Sequence, residues 1–164
     1  PNITYRKQFL LTNGIQTLGK IFNQNNTYMD EIKKIIYSVV ENYHSHFKDS
    51  DEGFIKNWPT SFDIFAWFIN MKNGGNLRAH IHESGWLSGS IYINVPPKSE
   101  INSGNLVICT DYDESEIKNE ENKKTIINVV TGSLCLFPSS LLHYTIPFKS
   151  EEERMVLAFD VNPK

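Results

Sequence analysis

From Met29 to Phe47 the apolar residues Met29, Ile32, Ile35, Ile36, Val39, Val40, Tyr43 and Phe47 recur every three or four positions, the period of an amphipathic helix. Thr27 with Asp30 supplies a plausible N-terminal cap, and the polar run from Asp49 to Gly53 closes the element. Ahead of it, Ile3 to Phe22 reads as a mixed, mostly helical segment broken at Gly14 and Gly19, followed by an Asn-rich turn from Asn23 to Asn26. From Phe62 the period shortens. Strands are predicted at Phe62–Asn70, Leu77–His82, Leu87–Val95, Asn105–Cys109, Thr125–Val130, Ser133–Phe137, His143–Phe148 and Met155–Val161. Turn chemistry separates them at Asn73-Gly74-Gly75, Pro96-Pro97, Ser103-Gly104 and Thr131-Gly132.

Short strands with no helices between them describe an antiparallel sandwich or jelly roll, not a parallel sheet. The expected fold is therefore mainly β: a double-stranded β-helix (jelly roll, cupin-like) over residues 61–164, with the helical N-terminal part, residues 1–60, packed outside it. A chain of 164 residues fits one such domain. Asp111 to Lys124 holds six acidic and three basic residues, so it reads as a solvated excursion, either a plain loop or a lid over the mouth of the barrel.

Charge narrows the partners. A net charge of -3 and a pI near 6.0 give no general attraction to nucleic acid or anionic membrane. Apolar runs stay well short of the roughly 20 residues of a membrane span, and no charged-then-apolar leader opens the chain, so a cytoplasmic protein is expected. The start at Pro1 fits removal of an initiator methionine or excision from a longer chain equally well. Cys109 and Cys135 sit alone in apolar strands, without zinc-ligand spacing, and read as buried free thiols.

The chemistry gathers in Arg78-Ala79-His80-Ile81-His82, answered 61 residues later by His143 and 11 residues after that by Arg154. Histidines at i and i+2 of a strand share a face, roughly 7 Å apart, and converge on one ion if a third ligand arrives from another strand. His143 is that third ligand. His44-Ser45-His46 has the same spacing at the end of the helical segment, where residues two apart are separated by about 200°, so it makes a poor chelate and suits a solvated helix end. Three imidazoles leave metal positions open for chemistry, whereas structural sites are closed. Arg154 leads an apolar strand and needs a carboxylate partner or an exit to water. It pairs with Glu151 to Glu153, or its fork takes a carboxylate of a metal-chelating diacid such as 2-oxoglutarate.

These blocks bring a family into view. His80-x-His82, then Leu87-Ser88-Gly89-x-x-Tyr92, then Gly132-x-Leu134-x-Leu136-Phe137-Pro138-Ser139-x-Leu141-x-His143, then Arg154 occur in order. They resemble the 2-oxoglutarate/Fe(II)-dependent oxygenases, and within them a bacterial and phage group related to prolyl hydroxylases. The resemblance implies a double-stranded β-helix, Fe(II), and oxidation of a C–H bond by dioxygen coupled to decarboxylation of 2-oxoglutarate to succinate. His80 and His143 match the two iron histidines, and His82 falls where most of the superfamily has aspartate or glutamate. The adjacent Glu83 would face the other side of a regular strand, which favours His82 as the ligand. Arg154 matches the residue that binds the far carboxylate of 2-oxoglutarate. The usual serine two positions on is replaced by Val156, so another hydroxyl must help, and Tyr92, with Ser90 on the same strand face, resembles the tyrosine that prolyl-hydroxylase-like members use. Trp58, Trp67 and Trp86 are available as pocket walls, Trp86 at the site mouth, and Ser88 and Asn94 share the parity of Ser90 and Tyr92.

Two rival readings keep the jelly roll. One is a cupin-like metal dioxygenase whose substrate chelates the ion directly, without 2-oxoglutarate; the other is a non-enzymatic binding module with a structural metal. The substrate, whether a small molecule or a peptidyl residue, and the oligomeric state are not written in these patterns.

Overall fold

The computed structural model describes residues 5–6, 8–23, 26–110 and 124–164. Two antiparallel sheets organise it. Among the described residues there are nine strands, β1 (Tyr5–Arg6), β2 (Leu11–Thr17), β3 (Phe62–Leu77), β4 (Leu87–Asn94), β5 (Leu106–Cys109), β6 (Lys124–Ile127), β7 (Leu134–Pro138), β8 (Leu142–Thr145) and β9 (Arg154–Pro163), with helices α1 (Thr27–Phe47) and α2 (Gly53–Lys56) both between β2 and β3. The larger sheet runs β1-β2-β3-β9-β4-β7 and the smaller β6-β5-β8. This is the expected jelly roll, with α1 against the outer face of the larger sheet.

The helix forms where the three-four period predicts it, with one shift at its start. Asn26 caps it, its side-chain oxygen accepting from the backbone N–H groups of Tyr28 (3.0 Å) and Met29 (3.4 Å), so Thr27 is the first helical residue and not the cap. Its apolar stripe buries Ile36 and Val40 completely against Ala66, Leu157, Phe159 and Val161 of the larger sheet. Burial of such side chains is worth about 1.5–3 kcal/mol each. His44 and His46 fall in the last turn, and His44 lies flat on Trp58, ring centroids 4.5 Å apart.

The segment Ile3 to Phe22 differs from its helical expectation. Its described part forms β1, β2 and a short 3-10 turn at Ile21–Asn23, extending the larger sheet beyond β3. No sustained helical period runs through these residues, so pairing with a long strand overrides local propensity. At Gly14 the partner strand comes so close that a Cβ would lie 2.8 Å from the Asn70 carbonyl oxygen. The expected turn at Asn73-Gly74-Gly75 is a bulge inside β3: the register jumps between Thr12↔Asn76 and Gly14↔Met71, with Gly74 at φ 73° donating its N–H to the Phe148 carbonyl at 2.8 Å. β3 therefore runs 16 residues, not the nine expected from Phe62 to Asn70.

The predicted strand Leu77–His82 reduces to one bridge, His80↔His143, because the chain here leaves the larger sheet and crosses toward the smaller. The remaining strands match their predicted positions with end shifts of up to three residues. The predicted excursion Asp111–Lys124 lies outside the described residues except for Lys124. No helix among the described residues is long and apolar enough to cross a membrane.

Candidate metal centre

The crossing segment is tied down at three points, and these ties aim its histidines. Arg78 N–H donates to the Leu10 carbonyl (3.0 Å), His80 N–H to the His143 carbonyl (3.1 Å) and His82 N–H to the Ser139 carbonyl (3.0 Å). His143 answers on β8 with its own N–H to the His80 carbonyl at 3.0 Å. Backbone hydrogen bonds thus hold His80 beside His143, while His82 reaches the same point from the far end of the crossing.

The three rings converge. Their centroids stand 4.3 Å (His80–His143), 5.0 Å (His80–His82) and 5.1 Å (His82–His143) apart, and one ligand atom from each lies within 4.8 Å of the others. Two nitrogens each about 2.1 Å from one ion are separated by at most about 4.2 Å, so a small inward movement closes the set on a metal. Among the described residues this is the cluster of His, Cys, Asp and Glu so arranged. Glu83 is exposed and does not join it, nor do His44 and His46.

Each ring has its Nδ1 already engaged. His80 Nδ1 meets the Arg78 carbonyl at 2.8 Å and His143 Nδ1 the Leu141 carbonyl at 2.9 Å, so each of these nitrogens donates. His82 Nδ1 meets Asp160 Oδ1 at 2.6 Å. With Nδ1 protonated, Nε2 carries the lone pair, the arrangement in which neutral imidazole ligates. Burial lowers the His143 pKa to about 3, with His80 and His82 adding to the effect against the Leu141 hydrogen bond. Burial likewise lowers His80. Both stay uncharged at neutral pH, as metal ligands must.

Beside the triad lies a cavity of about 430 Å³ that Arg154, Tyr92, Ser90, Thr145 and Trp67 help to line. Strand alternation explains the set. On β9, Arg154, Val156, Ala158 and Asp160 face inward, and on β4, paired with it in register, Ser88, Ser90 and Tyr92 do the same. Arg154 is 3% exposed, its Nε has no hydrogen-bond partner, and no carboxylate among the described residues pairs with it. Glu153, a candidate partner by sequence, instead accepts from Asn70 at 2.6 Å. The guanidinium carbon sits 5.2 Å from the Tyr92 ring centroid. Burial pushes the Tyr92 hydroxyl up to about 12, against the nearby Arg154 charge, so it remains a hydrogen-bond donor at neutral pH. A buried, unpaired guanidinium costs several kcal/mol unless an anion meets it. Neutral donors presenting Nε2 and a cation awaiting an anion fit a divalent ion and a carboxylate ligand.

Three expected lining residues are elsewhere. Trp86 stacks on Phe54 at 5.2 Å in the core beneath α1, and Asn94, past a register shift after Tyr92, donates to the Glu153 carbonyl at 2.6 Å. Trp58 packs with Tyr43 and Phe54. Trp67 is the tryptophan at the cavity, its ring 5.8 Å from that of His82. Sequence reading missed Asp160 and Thr145. The acid was legible, since it follows Arg154 by six residues on the same strand face.

The family described as "Putative 2OG-Fe(II) oxygenase" matches residues 65–160, or 96 of the chain's 164 residues. No curated protein matches the chain. HygX from Streptomyces hygroscopicus, solved with nickel and 2-oxoglutarate, is 10% identical, with 99% of this chain and 74% of that one covered at a TM-score of 0.64. A prolyl hydroxylase from Trichoplax adhaerens, solved with a hypoxia inducible factor oxygen degradation domain peptide fragment, is 19% identical, with 95% and 66% covered at 0.60. A Pseudomonas putida prolyl-4-hydroxylase is 18% identical, with 62% and 52% covered at 0.48, so the chain spans about half that enzyme's length. The first two share the double-stranded β-helix, and the family match over more than half of the sequence identifies this chain as a member of the 2OG-Fe(II) oxygenase family.

Proposed function

We propose that the protein is a dioxygenase in which His80, His82 and His143 hold Fe(II) and Arg154, with Tyr92 and Ser90, holds 2-oxoglutarate. The observation that carries this reading is the buried Arg154 guanidinium, which has no acidic partner among the described residues and lines the same cavity as the triad. A diacid with one end on the metal and the other on Arg154 relieves that unmatched charge. Bound there, Fe(II) and 2-oxoglutarate supply dioxygen activation, with decarboxylation to succinate and hydroxylation of a substrate C–H bond. The chain's own part is positioning. The groups that accept from Nδ1 hold the three Nε2 atoms toward one point, Tyr92 would donate its hydroxyl hydrogen to the cosubstrate carboxylate beside Arg154, and the apolar Val156, Leu106 and Phe137, the last with its ring 4.7 Å from that of His143, line the cavity and exclude water from it. Substrate, a small molecule or a peptidyl residue, approaches past Trp67. The free thiols Cys109 and Cys135 suit the reducing cytosol, where we place the protein.

The test is succinate formation and oxygen uptake with Fe(II) and 2-oxoglutarate, beside stabilisation of the metal-loaded protein by the cosubstrate. The absence of both turnover and stabilisation would overturn the reading. The all-imidazole triad favours a second reading, a cupin-like dioxygenase whose substrate chelates the metal itself. That enzyme would be indifferent to 2-oxoglutarate and to its removal.

A further inference from the structure

Asp160 is set apart from the other groups that hold the triad. His80 and His143 lean on backbone carbonyls, whereas His82 Nδ1 meets a carboxylate oxygen at 2.6 Å. The two side chains are 17% and 15% exposed, so the contact is largely out of water. Ser88 donates to the same Oδ1 at 2.7 Å, and Ser139, fully buried, stands 2.9 Å from Ser88 Oγ. Ser88 and Asp160 are cross-strand partners in the β4–β9 register, so the sheet itself fixes the carboxylate behind the ring.

His82 occupies the ligand position where a two-histidine, one-carboxylate site has its acid. Three neutral imidazoles, a divalent ion, a doubly charged diacid and Arg154 leave one uncompensated positive charge in a buried cavity. Asp160 cancels it from one bond further out. We infer that Asp160 is a positioning residue that takes over the charge role of the absent ligand carboxylate, acting on the metal through the His82 ring. The carboxylate fixes the ring's orientation and tautomer and raises the basicity of Nε2.

This inference rests on His82 being a ligand, and the experiment separates the two. Co(II) affinity and the Co(II) visible spectrum are measured for the wild-type protein, His143→Ala, Asp160→Asn, His82→Asp and the double variant H82D/D160N. Asparagine keeps the shape and an oxygen acceptor for Nδ1–H but removes the charge. Asp160→Asn should weaken Co(II) binding roughly 10–100-fold and shift the spectrum. In the His82→Asp background, where the carboxylate moves onto the metal, Asp160→Asn should weaken binding no further. A Co(II) affinity for Asp160→Asn within twofold of wild type with an unchanged spectrum, or an equal loss in both backgrounds, overturns the inference, the latter being the result of a purely structural role. If the wild-type protein fails to bind Co(II), or binds it as well after His143→Ala, the metal centre itself is wrong.

Discussion

Replacing Arg154 by methionine separates the cost of burying a cation from its use. Arg154 is 3% exposed and no acid among the described residues meets it, so an apolar side chain of similar length should leave the ligand-free protein as stable as before or more so. The loss should appear only with cosubstrate. At a concentration 100 times its Kd, a ligand stabilises the wild-type protein by about 2.7 kcal/mol. Unfolding entropy of about 2.1 cal/mol/K per residue over 164 residues converts that into a rise in Tm of about 8 °C. Truncating one partner of a desolvated charge pair costs about 2–5 kcal/mol, and even the lower figure raises Kd about 30-fold. The same 2-oxoglutarate concentration is then only about three times Kd, worth under about 1 kcal/mol and 2–3 °C. Thermal melts with saturating Mn(II), without oxygen, with and without 2-oxoglutarate, measure both effects. An Arg154→Met variant that keeps the full shift would refute the assignment of Arg154 to the cosubstrate.

Acid should destabilise the metal-free protein through His143. Its pKa is lowered from 6.5 to about 3, so below about pH 6.5 the unfolded chain takes up a proton that the folded one refuses; stability is complete above that pH and falls progressively down to about 3. Urea midpoints across this range should decline less steeply in His143→Gln, and equal slopes would contradict the burial argument. Gly89→Ala should cost at least about 2 kcal/mol in the urea midpoint, because its Cβ would fall 2.2 Å from the Phe159 ring; a smaller loss would mean that the ring can retreat. Cys135, half-buried and with a thiol that burial pushes up to about 11, should react with an aromatic disulfide reagent at pH 8 more slowly in the native protein than in the unfolded one, and equal rates would contradict the raised pKa.

The centre was legible because its parts are chemically rare and the topology that joins them follows from strand period. His80, His82, His143 and Arg154 announce themselves by residue type, and alternation puts Arg154, Ser90 and Tyr92 on inward faces. What the pattern could not carry is whether a short segment pairs or crosses. An i, i+2 pair shares a face on a regular strand, but the His80 and His82 rings converge although only His80 makes a ladder contact, because His82 is anchored instead to Ser139. The N-terminal strands were hidden for a related reason: residues 11–17 have no period of their own strong enough to outweigh pairing with β3. Trp86 shows that closeness in sequence to His82 is not closeness to the cavity, because the turn after His82 sends its ring to Phe54 beneath α1.

Strand β9 links stability to chemistry. Its inward residues Arg154, Val156, Ala158 and Asp160 line the cavity, while Leu157, Phe159 and Val161, alternating with them, bury against α1 and the outer core. Ten consecutive pairs with β3, from Phe62↔Pro163 to Met71↔Arg154, hold the register. A slip of one residue would exchange the faces, putting Phe159 and Leu157 in the cavity and a guanidinium and a carboxylate against the helix. The charge carried inward is thus secured by hydrophobic burial on the other side of the same strand. Because Ile36 and Val40 of α1 have no other face to cover, the helix that never touches the metal centre is what makes the inward register of Arg154 and Asp160 the stable one.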